Sequence, residues 1–256
     1  MDSHMDWHAL RAALDWQVEL GADEAIGETP VNRFEAAAEA VAQVAAKAAE
    51  VSAAPVSEQV DPVAVARAAA RDAADLESLK AALDAYEHCD LRRGARNLVF
   101  SDGTPGARVM VIGEAPGRDE DIQGKPFVGR AGQLLDRMLA AIDLTRDGSV
   151  YITNVLPWRP PQNRDPKPDE IAMMLPFLER HVALAAPDIL ILMGNISAQA
   201  CLGKRGITRL RGTWTEAFGR PAMPMLHPAY LLRTPIAKRD TWADLLDVQA
   251  RLKGQT

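Results

Sequence analysis

A series of short, unbroken apolar runs most constrains this chain: Val109–Ile112, Val150–Thr153, Ile189–Met193 and Ala222–Leu226. Each has the length of a strand, and the absence of polar alternation predicts burial on both faces. Between them lie segments with helical apolar spacing: Leu76 to Tyr86, Ala131 to Ile142, Asp165 to Leu184, a stretch through Cys201–Leu202, and Asp240 to Leu252. In the second of these Leu134, Leu135, Met138, Leu139 and Ile142 share one face. Strands alternating with helices predict an α/β fold, a three-layer α/β/α sandwich around a mainly parallel sheet of about four strands. In such sheets the site lies at the carboxyl ends of the strands. Glu114, Asn154, Gly194 and His227 all fall there.

The chain has 256 residues, 48% hydrophobic and 25% charged, enough to bury a sizeable core. Collagen-like, fully disordered and disulfide-stapled classes are excluded. No uninterrupted apolar stretch of about eighteen residues occurs, nor a charged-then-apolar leader, so a cytoplasmic protein without a membrane partner is expected. Cys89 and Cys201 are the only cysteines and read as reduced thiols. The net charge of −6 argues against a general nucleic-acid coat protein. A local basic groove remains compatible with it, and Arg205, Arg209, Arg211, Arg233, Lys238 and Arg239 supply positive charge in the last third.

Composition also divides the chain. Residues 1–27 comprise a cloning remnant, Met1–Met5, and a short amphipathic helix from Trp7 to Leu20. Residues 28–75, rich in Ala and interrupted by Pro30, Pro55 and Pro62, read as a linker or helical extension. Residues 76–256 form the α/β domain.

Gly113-Glu114-Ala115-Pro116-Gly117 follows the first strand as a tight turn, with Glu120-Asp121 behind it. Next comes the glycine-spaced loop Gly124 to Gly132, displaying one ring, Phe127. Glycines let backbone approach a flat ligand, and the ring offers a stacking face, although such a Phe also serves to cap a core. Asn154 presents a donor and an acceptor, the complement of an imide edge such as that of uracil, or else caps a loop. His227 before Pro228 is placed to donate to an oxygen that gains charge, though a lone His is as readily a core or surface residue. Arg159-Pro160-Pro161-Gln162-Asn163-Arg164 is a rigid basic loop suited to phosphates, or a proline-stiffened connection. No nucleophile elbow, Walker-type loop or His-Glu-x-x-His spacing is present.

Taken in order, these segments resemble the uracil-DNA glycosylase superfamily, and within it family 4. The resemblance runs from about Tyr86 to Leu246 and includes Ile152-Thr153-Asn154-Val155, Pro166 and His227-Pro228-Ala229-Tyr230-Leu231-Leu232. It implies a monofunctional DNA glycosylase of base excision repair, which hydrolyses the N-glycosidic bond of uracil and leaves an abasic site. It further implies that Phe127 stacks on a flipped-out uracil, Asn154 reads its Watson–Crick edge, and His227 sits against its O2. Glu114 and Glu120 are implied as catalytic pocket residues, with Ala115 where family 1 enzymes carry a water-activating Asp. For DNA binding the resemblance implies Arg159, Asn163 and Arg164, with Leu231 as the wedge and Leu232 and Arg233 able to share that role.

One departure is plain. Family 4 members usually hold a four-iron, four-sulfur cluster through four cysteines, and the matching positions here are Tyr86, Cys89, Trp158 and Met174. The expectation is therefore a protein without cofactor or metal, with side-chain packing in the cluster's place. Between Asn154 and Pro168 there is no histidine, so turnover by water is expected over covalent trapping of the product. The expected partners are uracil-containing DNA and its abasic product, engaged by a monomer. Two other readings stay open: a glycosylase of wider range that accepts hypoxanthine or xanthine, and a non-catalytic protein that binds DNA or abasic sites.

Overall fold

Asp61 and Pro62 open the first packed helix, and the chemistry of that opening is local. The Asp61 side chain accepts from the Val63 N–H at 2.9 Å, and the proline occupies a position where no N–H is needed. In the computed structural model, which describes residues 7–22 and 60–254, the elements in chain order are as follows. Helices α1 (Trp7–Glu19), α2 (Pro62–Asp72), α3 (Leu76–Ala85) and α4 (Leu91–Gly94) precede β1 (Asp102–Gly103) and β2 (Val109–Gly113). Then come α5 (Arg118–Gln123), α6 (Arg130–Ala140), β3 (Val150–Asn154), α7 (Pro168–Ala185), β4 (Ile189–Met193) and α8 (Gly194–Leu202). The chain ends with α9 (Ile207–Leu210), β5 (Thr215–Ala217), β6 (Arg220–Met225), α10 (Pro228–Arg233) and α11 (Lys238–Leu252).

The sheet order is β1-β3-β2-β4-β6-β5. Its four central strands are parallel, as the apolar runs predict, with Val109 opposite Val150 and Ile189, and Leu190 opposite Ala222. Two short antiparallel edge strands, β1 against β3 and β5 against β6, extend it to six. Successive residues of a strand point to opposite faces, and this period separates two cores. Met110, Ile112, Leu190 and Leu192 pack with α2, α3 and α7 on one face. Val109, Val111, Ile189 and Ile191 pack on the other with Leu135 and Leu139 of α6 and Leu245 and Val248 of α11. Each such large apolar side chain contributes roughly 1.5–3 kcal/mol on burial.

The chain divides into a unit of residues 1–59 and a unit from Val60 onward. In the first, α1 is helical where amphipathic spacing predicts it, and Trp7, Leu14 and Trp16 are exposed. Met1–Met5, expected to be a cloning remnant, and the Ala-rich run up to residue 59 lie outside the described residues. Residues 60–75, assigned from composition to the linker, belong instead to the second unit. Ala66 and Ala70 of α2 are buried against α7, because small side chains allow close helix approach.

Direction of crossing fixes the site. From β2 the chain moves outward to β3, then returns past β2 to β4, so the strand order reverses at the carboxyl end of β2.

Candidate functional site

A cleft of about 700 Å³ opens at that point, lined by Glu114, Ala115, Phe127, Asn154, Gly194 and His227 among others. Gly113 is paired with Asn154 across β2 and β3, and a Cβ there would overlap both Asn154 Oδ1 and the Phe127 ring. Only glycine permits this close approach. The Phe127 ring is 5.5 Å from the His227 ring, the planes inclined by 28°. Three residues separated by a hundred positions in sequence thus meet in one corner.

Asn154 is 6% exposed, and its side-chain amide makes no hydrogen bond among the described residues. A carboxamide so placed has its donor and acceptor available to a ligand. His227 caps α10, where its Nδ1 accepts from the Ala229 N–H at 3.1 Å. Acceptance there requires an unprotonated Nδ1, so the neutral ring carries its proton on Nε2. Burial, aided by nearby Arg233, pulls its pKa down to about 4. A neutral imidazole N–H donor is the consequence at physiological pH.

Glu114, directly after β2, is half-buried at the cleft wall. Desolvation, reinforced by Asp165 and opposed by Arg205, pushes its carboxyl up to about 7. A carboxyl titrating there is poised to exchange a proton near neutrality.

Glu120 plays a different part from the one expected. Its Oε1 accepts from the Val128 and Gly129 N–H groups at 3.0 and 2.9 Å, and its Oε2 from the Gly117 N–H at 3.1 Å. Glu120 lines the cleft, but its carboxylate is committed to loop amides, so it positions backbone rather than reacting groups. Phe127 is 5% exposed with φ +54°, a conformation costing a bulky residue roughly 1–3 kcal/mol. Gly132 at the start of α6 makes room for the Phe127 carbonyl, against which a Cβ would collide. Arg146, unremarked in the sequence, binds the carbonyls of Pro126 and Phe127.

The basic loop is ordered by its own contacts. Arg159 Nε donates to Asn163 Oδ1 at 2.7 Å, and Arg164 binds both oxygens of Glu170, at 2.9 and 2.5 Å. Asn163 and Arg164 line the cleft. Leu231 does not fit the wedge role: at 1% exposed it is part of the core under α10. Leu232 is half-buried, whereas Arg233 is exposed on the cleft rim and Ile236, three residues on, is 82% exposed. Arg211 leaves the basic set, because it is ion-paired with buried Asp244; Arg205 remains, lining the cleft.

Residues 100–246 match the Uracil DNA glycosylase superfamily. The chain belongs to that superfamily. It is 39% identical over 165 residues to a type-4 uracil-DNA glycosylase of Archaeoglobus fulgidus, covering 61% of this chain and 82% of that protein. Identity is 39% over 170 residues with the type-4 enzyme of Sulfurisphaera tokodaii, covering 62% of this chain and 77% of the relative. With that of Thermotoga maritima it is 38% over 148 residues, 57% and 77% of the two chains.

For this superfamily member the cluster positions can be tested against their surroundings. Tyr86, Cys89, Trp158 and Met174 are all buried in one apolar core. Tyr86 Oη donates to the Pro62 carbonyl at 2.7 Å, and its ring meets Phe177 edge-on at 5.4 Å. Desolvation raises the pKa of Cys89, which disfavours the thiolate that binds iron. One thiol among a phenol, an indole and a thioether does not fit an iron–sulfur cluster. Among the described residues no helix is long and apolar enough to cross a membrane.

Proposed function

We propose that this chain hydrolyses the N-glycosidic bond of deoxyuridine in DNA, releasing uracil and leaving an abasic site. The observation that carries the reading is the Asn154 carboxamide, which opens on the cleft and makes no hydrogen bond among the described residues, set beside the Phe127 and His227 rings. Uracil supplies what that corner lacks. Its N3–H donates to Asn154 Oδ1, its O4 accepts from Nδ2, and its face stacks on Phe127.

As the C1′–N1 bond breaks, its electron pair moves into the uracil ring and negative charge grows on O2. The His227 Nε2–H donates to that oxygen, and one well-aimed donor is worth about 3–4 kcal/mol. Ionised Glu114 offsets the positive charge on the sugar and accepts the proton of the water whose oxygen bonds to C1′. Asn163, Arg164 and Arg205 hold phosphates around the cleft. With Leu231 buried, Arg233 enters the vacated base stack, and Ile236 abuts the same duplex face. The reading takes the chain to act as a monomer in the cytoplasm, where its DNA substrate lies.

The test is a set of oligonucleotides each carrying one uracil, hypoxanthine or xanthine. Excision of uracil, lost in Asn154→Ala while the variant still folds, is the expected outcome. Unchanged excision in that variant would overturn the role of Asn154, and preference for a purine would overturn the substrate.

A further inference from the structure

Phe127 can serve as a stacking floor only if its unfavourable backbone is held, and two oppositely charged side chains grip the same peptide. On one side Arg146 Nη2 donates to the Phe127 carbonyl at 2.7 Å and Nη1 to that of Pro126 at 2.8 Å. On the other, Glu120 Oε1 accepts from the N–H groups of Val128 and Gly129. The Phe127–Val128 peptide therefore has its oxygen fixed by a cation and its hydrogen fixed by an anion. Arg146 is itself immobilised: Nη1 also binds Asp102 Oδ2 at 2.8 Å, while Nε and Nη2 bind Asp136 Oδ1 at 3.1 and 2.9 Å. Every N–H of the guanidinium is thereby used, and its side chain is 15% exposed. Lysine keeps the charge but lacks the planar fork to reproduce this set.

We propose that Glu120 and Arg146 are a positioning pair that clamps the Phe127–Val128 peptide and so sets the ring that stacks on uracil. The proposal rests on the reading of Phe127 as the stacking residue. It assigns catalytic consequence to Arg146, which does not line the cleft, through placement of one ring.

The experiment compares wild type, Arg146→Ala, Arg146→Lys, Glu120→Gln and Phe127→Ala on single-stranded uracil DNA. Amide hydrogen exchange of residues 124–132 and inhibition by free uracil are measured alongside. Arg146→Ala is expected to lower kcat about 100-fold, weaken inhibition by uracil, speed exchange in 124–132, and leave binding of abasic DNA unchanged. Arg146→Lys is expected to fall between, and it carries the test if the alanine variant does not fold. In the Phe127→Ala background, Arg146→Ala should add little further loss, because the ring it positions is gone. Multiplicative losses in that background, or normal kcat in a folded Arg146 variant, overturn the clamp. If wild type excises no uracil, the functional reading fails instead, and unchanged exchange in 124–132 then overturns the clamp separately.

Discussion

Replacing Glu114 by glutamine should make the enzyme slower and, above neutral pH, more stable. The carboxyl titrates at about 7 in the folded protein against an ordinary 4.5, chiefly because it is desolvated. If its ionised form takes the proton from water, kcat/KM rises with pH and levels above about 7. At pH 5 about one molecule in a hundred carries the ionised form, so the rate there should lie about 100-fold below the plateau. His227, titrating at about 4, stays neutral throughout that range and adds no limb. The stability sign is the reverse of that for a salt-bridged carboxylate. A raised folded pKa gives a contribution that is full below the unfolded value and lost as pH rises through about 7. That loss is at most about 3 kcal/mol. Glu114→Gln removes it, so its Tm at pH 8 should exceed that of wild type by a few degrees for each kcal/mol recovered. The assay is kcat/KM on single-stranded uracil DNA from pH 5 to 9, with thermal unfolding of both proteins. A flat wild-type profile, or the same limb in the Gln variant, would refute the reasoning.

Three other expectations concern the core under α10, the rim and the acid limit. Leu231→Ala should cost about 2–5 kcal/mol in denaturant unfolding, as for any core leucine. Arg233→Ala should unfold normally yet slow excision from duplex more than from single-stranded DNA; equal slowing on both would remove it from the base stack. Burial depresses His181 to about 3 and His227 to about 4. Both therefore contribute stability that is present above about 6.5 and lost as pH falls toward those values. Acid unfolding followed by circular dichroism should thus shift to lower pH in His227→Gln, and an unshifted midpoint would contradict the burial argument.

The central strands were legible because burial on both faces leaves nothing but apolar residues in Val109–Ile112 and Ile189–Met193. The edge strands β1 and β5 were not, since they are two and three residues long and exist through pairing with β3 and β6. Helix α2 was lost to composition: its buried residues are alanines, which look like linker, although Asp61 before Pro62 was a usable start signal. Asn154 and His227 were legible at strand ends. Leu231 was misplaced because the motif says nothing of which side faces the core. For Glu120, its place three residues after the N-cap Gly117 was a usable signal for the bond to the Gly117 amide, but not for those to Val128 and Gly129. Arg146 left no signal, because its partners are carbonyls brought together only by the fold.

Excision from an oligonucleotide bearing one uracil tests the central claim most directly, followed by alkaline cleavage, with His227→Ala beside wild type. Strand cleavage by wild type, reduced about 100- to 1000-fold in a folded His227→Ala, is the expected result. A folded wild type that binds the oligonucleotide without releasing uracil, or a His227→Ala variant as fast as wild type, would contradict it.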